Sequence, residues 1–217
     1  TKVRLIGHGD PSWGMSEFGE GLRTRVNAMA KAFHEAGIRS IRGDIQALSS
    51  DPRWDKVSFP IGWKSSDPLG CGGSIGQSFN LNINCANLVI TSATTYRWTT
   101  GVTTPVVMDV SPGNRNALSA RLEHFAGGAV GYRITGTWKS SYTFALPVLN
   151  VREWIGNLFT IALAEQGIEF IDEGSPSPNE ERELRFHSRP LSELLKPFLK
   201  NSVNHSGDVF LKTLGLT

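Results

Sequence analysis

The side chains best suited to chemistry lie near the carboxy end, in the stretch FLKNSVNHSGDVFLKTLG, residues 198–215. Ser202 and Asn204 place a hydroxyl and a carboxamide two residues apart, ahead of Val209, Phe210 and Leu214, the apolar pattern of a short packed helix. A hydroxyl donates and accepts, and a carboxamide offers two donors and an acceptor. On a turn, two such groups can face a single cleft and hold a peptide backbone there. Ser and Asn are also residues that cap helices, and the triplet alone favours that simpler use.

Other polar side chains point to less. His8, His34, His124, His187 and His205 are scattered, with no pair at metal-ligand spacing. His205 reads as a surface or helix-capping residue, and Lys200 and Lys212 as solvated helix charges. Gly7-His8-Gly9 lacks the G-x-G-x-x-G spacing and a following Lys, so it reads as a tight turn and not a phosphate loop. Cys71 and Cys85 have neither C-x-x-C spacing nor a neighbouring His pair, which argues against zinc. One disulfide and two separate thiols are both open to them. No motif asks for a metal or a cofactor. A formal charge of +2, with no basic cluster interleaved with aromatics, gives a nucleic-acid partner no electrostatic support. No run approaches 18 apolar residues, so no membrane span is expected. The Trp residues read as core and loop anchors, while Trp54, Trp63 and Trp98 in polar loops keep a glycan contact open.

The elements that must position these groups read as mixed α/β. Val3 to Trp13 is a strand running into a turn at Asp10-Pro11. Leu22, Val26, Met29 and Phe33 recur at helical spacing up to Gly37. Ile38 to Leu48 follows as a strand broken at Gly43. Residues 49–76 are rich in Pro and Gly breakers, and Trp54, Phe59 and Trp63 are expected to pin them to the body. Phe79, Leu81, Ile83 and Cys85 alternate with Asn80, Asn82 and Asn84, which predicts a half-solvated antiparallel strand. Ala86-Asn87 then reads as a turn into Leu88 to Ile90. Val106 to Val110, Ala129 to Thr137 and Tyr142 to Leu149 supply further strands. Asn150 and Glu153 form a capping-box pattern ahead of the stripe Val151, Trp154, Ile155, Leu158, Phe159 and Leu163. Ile168 to Ile171 is strand-like, and Glu173 to Glu183 is a polar connector. Leu191, Leu194, Leu195 and Phe198 resume helical spacing, with Pro197 expected to kink the helix or begin a second one. The domain division is 1–172, then a connector at 173–190, then a helical piece at 191–217.

In its surroundings the terminal block resembles the second motif of the D-alanyl-D-alanine carboxypeptidase/endopeptidase family (class C low-molecular-mass penicillin-binding proteins, peptidase family S13). That motif reads S-x-N, then a small residue, an acid and L-x-K-x-L-G; Pro190 to Gly215 matches almost continuously. Leu5 to Trp13 resembles the family's L-x-G-x-G-D-P-[TS] segment, and Gly37-Ile38 with Ile41-Arg42-Gly43-Asp44 its next stretch. Gln77 to Asn84, Ile134-Thr135-Gly136 and the helix from Val151 to Ile168 are similar more loosely. Gly207 and Asp208 stand where the family usually has Ala and Glu.

The resemblance implies an α/β chain made of inserted sheet-containing modules plus the edge of a penicillin-binding transpeptidase-like catalytic domain. It implies a periplasmic or exported serine hydrolase acting on peptidoglycan stem peptides and recognising beta-lactams. Ser202 would orient or relay a proton toward the leaving amine, and Asn204 would hydrogen-bond the substrate backbone and hold a catalytic Lys. The family's nucleophilic Ser has Lys three residues later, so that a base sits beside a hydroxyl that does not ionise at neutral pH. No Ser in this chain has Lys at that position: Ser192 is followed by Leu195, with Lys196 one residue too late. Lys212-Thr213-Leu214-Gly215 is not a K-T-G triplet. The expectation is therefore a central segment whose nucleophile and base come from the remaining catalytic-domain polypeptide, and which alone does not acylate. The alternatives are a non-catalytic cell-wall scaffold or binding protein on the same module, and an unrelated small-molecule-binding α/β domain.

Overall fold

The computed structural model describes residues 3–55, 70–171 and 183–216. Strand β1 (Val3–Gly7) turns Val3, Leu5 and Gly7 inward and pairs in parallel with β3 (Ile45–Ser49). Parallel neighbours need a crossover. Helix α1 (Thr24–Glu35) supplies it, burying Val26, Met29 and Ala30. Between them runs β2 (Ser40–Arg42), and Gly43 at φ 69° turns the chain out of it. The strand expected over this stretch with a break at Gly43 is present. Its two halves, however, serve different ladders, because β2 pairs in parallel with β10 (Glu169–Ile171).

Helix α2 (Val151–Glu165) is the centre of the larger core. Asn150 accepts the Glu153 backbone N–H, as the cap predicts; the Glu153 carboxylate is met by the Asn150 side-chain amide in place of the backbone N–H of a reciprocal capping box. Trp154, Ile155, Leu158, Phe159 and Leu163 are buried against α1, β1 and Ile41, and the Phe33 and Phe159 rings meet edge to face at 5.3 Å. A second core forms between two three-stranded sheets. In one, β4 (Cys85–Ile90) lies between β5 (Tyr96–Trp98) and β9 (Tyr142–Pro147), all antiparallel. In the other, β8 (Val130–Trp138) lies between β6 (Val106–Pro112), parallel to it, and β7 (Ala117–His124), antiparallel. Leu88, Ile90, Tyr132, Ile134 and Leu146 fill this second core. The Tyr132 hydroxyl donates to the Pro147 carbonyl, and burial pushes the phenol's pKa well up.

Three local expectations are corrected. Residues 79–84 are not a strand: Asn82, Ile83 and Asn84 all take left-handed backbone angles (φ 49°, 52° and 54°), and Asn80 and Asn84 are buried. Asn tolerates that region because its amide bonds locally. Here Asn84 accepts the Leu81 N–H and donates to Ile75 O and Asn80 Oδ1, while Asn82 donates to Cys85 O. Ala86-Asn87 is not a turn either, since β4 runs through it in register with β9. Helix α3 (Leu191–Asn201) continues through Pro197, which is buried, and only at Ser202 does the chain turn left-handed (φ 53°) into α4 (Asn204–Leu216). Trp54 is buried as the loop anchor expected of it; Phe59 and Trp63 lie outside the described residues. Trp98 is half-buried and serves as an anchor, its ring packed against both cores and its Nε1 donating to Thr104 O. Among the described residues no helix is long and apolar enough to cross a membrane.

Candidate active site

The corner between α3 and α4 carries both sequence-selected residues. Ser202, in the left-handed region, ends α3, and Asn204 is the first residue of α4. Both are exposed, and neither side chain hydrogen-bonds another described residue. The backbone closes the corner instead, with Ser206 N–H donating to Val203 O at 3.0 Å. Capping, the simpler use of these two side chains, is therefore not how they are employed here.

Beneath this open pair the first turn of α4 is firmly held. His205 and Ser206 are buried. The His205 ring faces the loop around Ser74, with Nδ1 3.4 Å from Ser74 Oγ and 3.5 Å from Ser74 O. Ser74 in turn donates to the carbonyls of Cys71 and Ile83. Nε2 of His205 has no partner among the described residues. Burial pushes the imidazole down from 6.5 to about 4, against a smaller opposing pull from the Ser74 backbone and Asp208, with Lys212 adding to the depression. The ring is thus neutral near pH 7, a packed residue and not the surface or capping group its sequence position suggests. Lys212 also departs from a solvated charge. It donates to Gly76 O at 2.7 Å and pairs with Asp208 at 3.1 Å.

The loop that receives α4 is stapled. Cys71 and Cys85 are joined by a disulfide, with Cα atoms 5.4 Å apart. On the other side, Gly207 lies against Phe198, whose ring meets Phe210 edge to face at 5.8 Å, so the two helices pack closely where a methyl group would intrude. The approach to α3 is fixed by Arg189, which reaches Glu20 and Phe18 O and lies over the Phe18 ring at 5.0 Å.

Gly9 (φ 84°) confirms the tight turn after β1, with Trp54 packed where a side chain would be, and Asp10 secures it by accepting from Ser12 and the Trp13 indole. His8, His124 and His187 are exposed, and among the described residues no group of three acidic, His or Cys side chains could hold a metal. A polar groove of about 440 Å³ lies elsewhere, between Asp44 and Ile45 and the start of α2, and its Asn150, Asn157 and Thr160 are spent on the helix and its neighbours. Along α3 and α4, large apolar side chains are instead exposed: Leu191, Leu199, Leu211 and Leu214. Sequence reasoning missed His205, Asp208, Lys212 and Gly76 as the parts that fix the corner. Only the four-residue spacing of Asp208 and Lys212 hinted at it.

The family model described as the D-Ala-D-Ala carboxypeptidase 3 (S13) family matches residues 1–217. Among solved structures, penicillin binding protein 4 (dacB) from Haemophilus influenzae is similar with a TM-score of 0.66 at 18% identity, over 95% of this chain and 46% of that chain. The same protein complexed with a novel beta-lactam is similar with a TM-score of 0.59 at 17% identity, over 95% of this chain and 45% of that one. At this identity the likeness is one of fold. The chain spans about half the length of these neighbours. No curated protein matches it.

Proposed function

The chain belongs to the D-Ala-D-Ala carboxypeptidase 3 (S13) family, and from that premise we propose that it is the central segment of a serine D-Ala-D-Ala carboxypeptidase/endopeptidase. It acts on peptidoglycan stem peptides, and beta-lactams compete for the same site. In this reading residues 1–172 are the inserted region, 173–190 a connector, and 191–217 the helical part of the catalytic domain. The observation that carries it is the exposed, unengaged pair Ser202 and Asn204 at a corner that is otherwise tightly fixed. Polar side chains kept at defined positions without protein partners are available to a ligand. The uncovered leucines of α3 and α4 support the remainder of the proposal, because a cleft wall built from further polypeptide would bury them.

The reaction divides between this segment and the polypeptide facing it. The nucleophilic Ser, contributed with its Lys from outside these residues, attacks the D-Ala carbonyl while the Lys takes its proton; the C–N bond breaks, the amine leaves, and water hydrolyses the acyl-enzyme. Asn204 hydrogen-bonds the peptide backbone and the Lys, and Ser202 hands a proton to the departing amine. The disulfide supports an exported, periplasmic setting, where such bonds persist.

A fluorescent penicillin tests the proposal. The intact gene product is expected to label stoichiometrically and the 217-residue chain alone not at all. Ser202→Ala or Asn204→Ala in the intact protein should slow turnover about 100-fold. No labelling of the intact protein would leave a non-catalytic wall-binding scaffold in place of the hydrolase.

A further inference from the structure

Both backbone groups of one residue, Gly76, are taken by side chains of α4. Asp208 Oδ2 accepts the Gly76 N–H at 2.8 Å, and Lys212 Nζ donates to the Gly76 carbonyl at 2.7 Å. The two side chains also pair with each other at 3.1 Å, with 26% and 22% of their surface exposed. Four residues apart on a helix, they stand one above the other and together reach the two peptide groups that flank Gly76. Only glycine fits opposite: a Cβ at position 76 would lie 2.6 Å from Val209 Cγ2 and 3.1 Å from Val209 N. Gly76 cannot drift, because Asn84 holds the neighbouring Ile75 carbonyl and the Cys71–Cys85 disulfide closes the loop around it.

We propose that Asp208 and Lys212 are positioning residues for Ser202 and Asn204, acting through the backbone of Gly76. This rests on the reading that Ser202 and Asn204 face the substrate. An ion pair within one helix would fix nothing beyond that helix. Here two points one turn apart are tied to the two peptide groups flanking one residue of a stapled loop, which sets both the rotation of α4 and its position along its axis. Asn204 begins that helix, and Ser202 ends the partner packed on it through Phe198 and Phe210. A displacement near 1 Å at a group that orients a substrate lowers turnover by as much as about 100-fold.

The test uses the intact gene product. Asp208→Ala is expected to slow penicillin acylation and peptide turnover about 10- to 100-fold, chiefly in kcat with KM little changed. Asp208→Asn keeps an acceptor for Gly76 but loses the Lys212 pair, and should fall between Asp208→Ala and the parent. Parent-like acylation by folded Asp208→Ala overturns the proposal. If that variant does not fold, Lys212→Met, which keeps the aliphatic stem, carries the same test, and parent-like kcat overturns it equally. A loss confined to thermal stability, with kcat unchanged, also overturns it. Failure of the parent itself to acylate refutes the hydrolase reading instead, so the two failures are separate.

Discussion

Acidification is expected to loosen α4 through His205, and the size of the effect follows from where the ring sits. The imidazole is 2% exposed, its Nε2 has no partner among the described residues, and burial outweighs the attraction of Asp208 for a proton. Its pKa falls from 6.5 to about 4. The sign is that of a depressed base: between those values the unfolded chain binds a proton that the folded chain refuses. The contribution is therefore intact above about pH 6.5 and drains away as pH falls toward 4. Integrated over the titration, the loss is about 2 kcal/mol between pH 7 and pH 5 and about 3 kcal/mol by pH 4. Urea unfolding of the chain and of His205→Gln at pH 7, 6 and 5 measures it, with the slope against pH as the readout. Glu123, Glu165 and Glu183 are held below their ordinary range by Arg133, Arg23 and Arg185. They lose their share at lower pH and are common to both proteins. Parallel pH profiles for the parent and His205→Gln would refute the reasoning.

Three further outcomes are expected. Replacing Cys71 with Ser opens a loop of sequence separation 14 and should cost about 3 kcal/mol in urea unfolding, an effect that reductant reproduces in the parent and not in the variant. Gly9→Ala would bring a Cβ to 2.3 Å from the Trp54 ring at φ 84°; thermal unfolding should register a loss of about 3 kcal/mol, with red-shifted Trp fluorescence. Gly207→Ala gains about 1 kcal/mol of helix propensity but places a methyl 2.7 Å from Phe198 Cε2, so a net loss of about 1–2 kcal/mol is expected. Phe198→Leu should relieve most of it in the double variant, and strict additivity would contradict the packing described.

Much of the architecture is written in short-range periodicity. The stripes of α1 and α2, the Asn150 cap and the Gly43 break all follow from residues that decide their structure locally. The alternation over 79–84 misled because a polar residue at every second position also suits a left-handed turn whose amides bond to nearby backbone. That choice depends on Ile75 and Cys85, which periodicity does not register. Pro197 sits within a helix because burial of its ring outweighs one absent N–H, and burial is a tertiary property. At the corner, Ser202 and Asn204 were legible by type. Their support was not, since His205, Asp208 and Lys212 act on residues about 130 positions earlier and have no local signature. The strands β5 and β7 were missed for a related reason: β5 has three residues and β7, though longer, alternates between exposed and half-buried positions, and both acquire their structure from the strands they pair with.

Strands β4 and β9 lie side by side, yet all of residues 91–141 run between them. Bringing distant segments together forfeits chain freedom before any contact repays it. By contrast, β7 and β8 are joined across residues 125–129 and can zip as neighbours. The order of assembly follows: the β6–β8–β7 sheet condenses early, and the β4–β9 ladder waits for it. Because β4 begins at Cys85, the half of the staple that shapes the docking loop arrives with that late ladder. The corner bearing Ser202 and Asn204, which rests on that loop, is then expected to settle no earlier than the β4–β9 ladder.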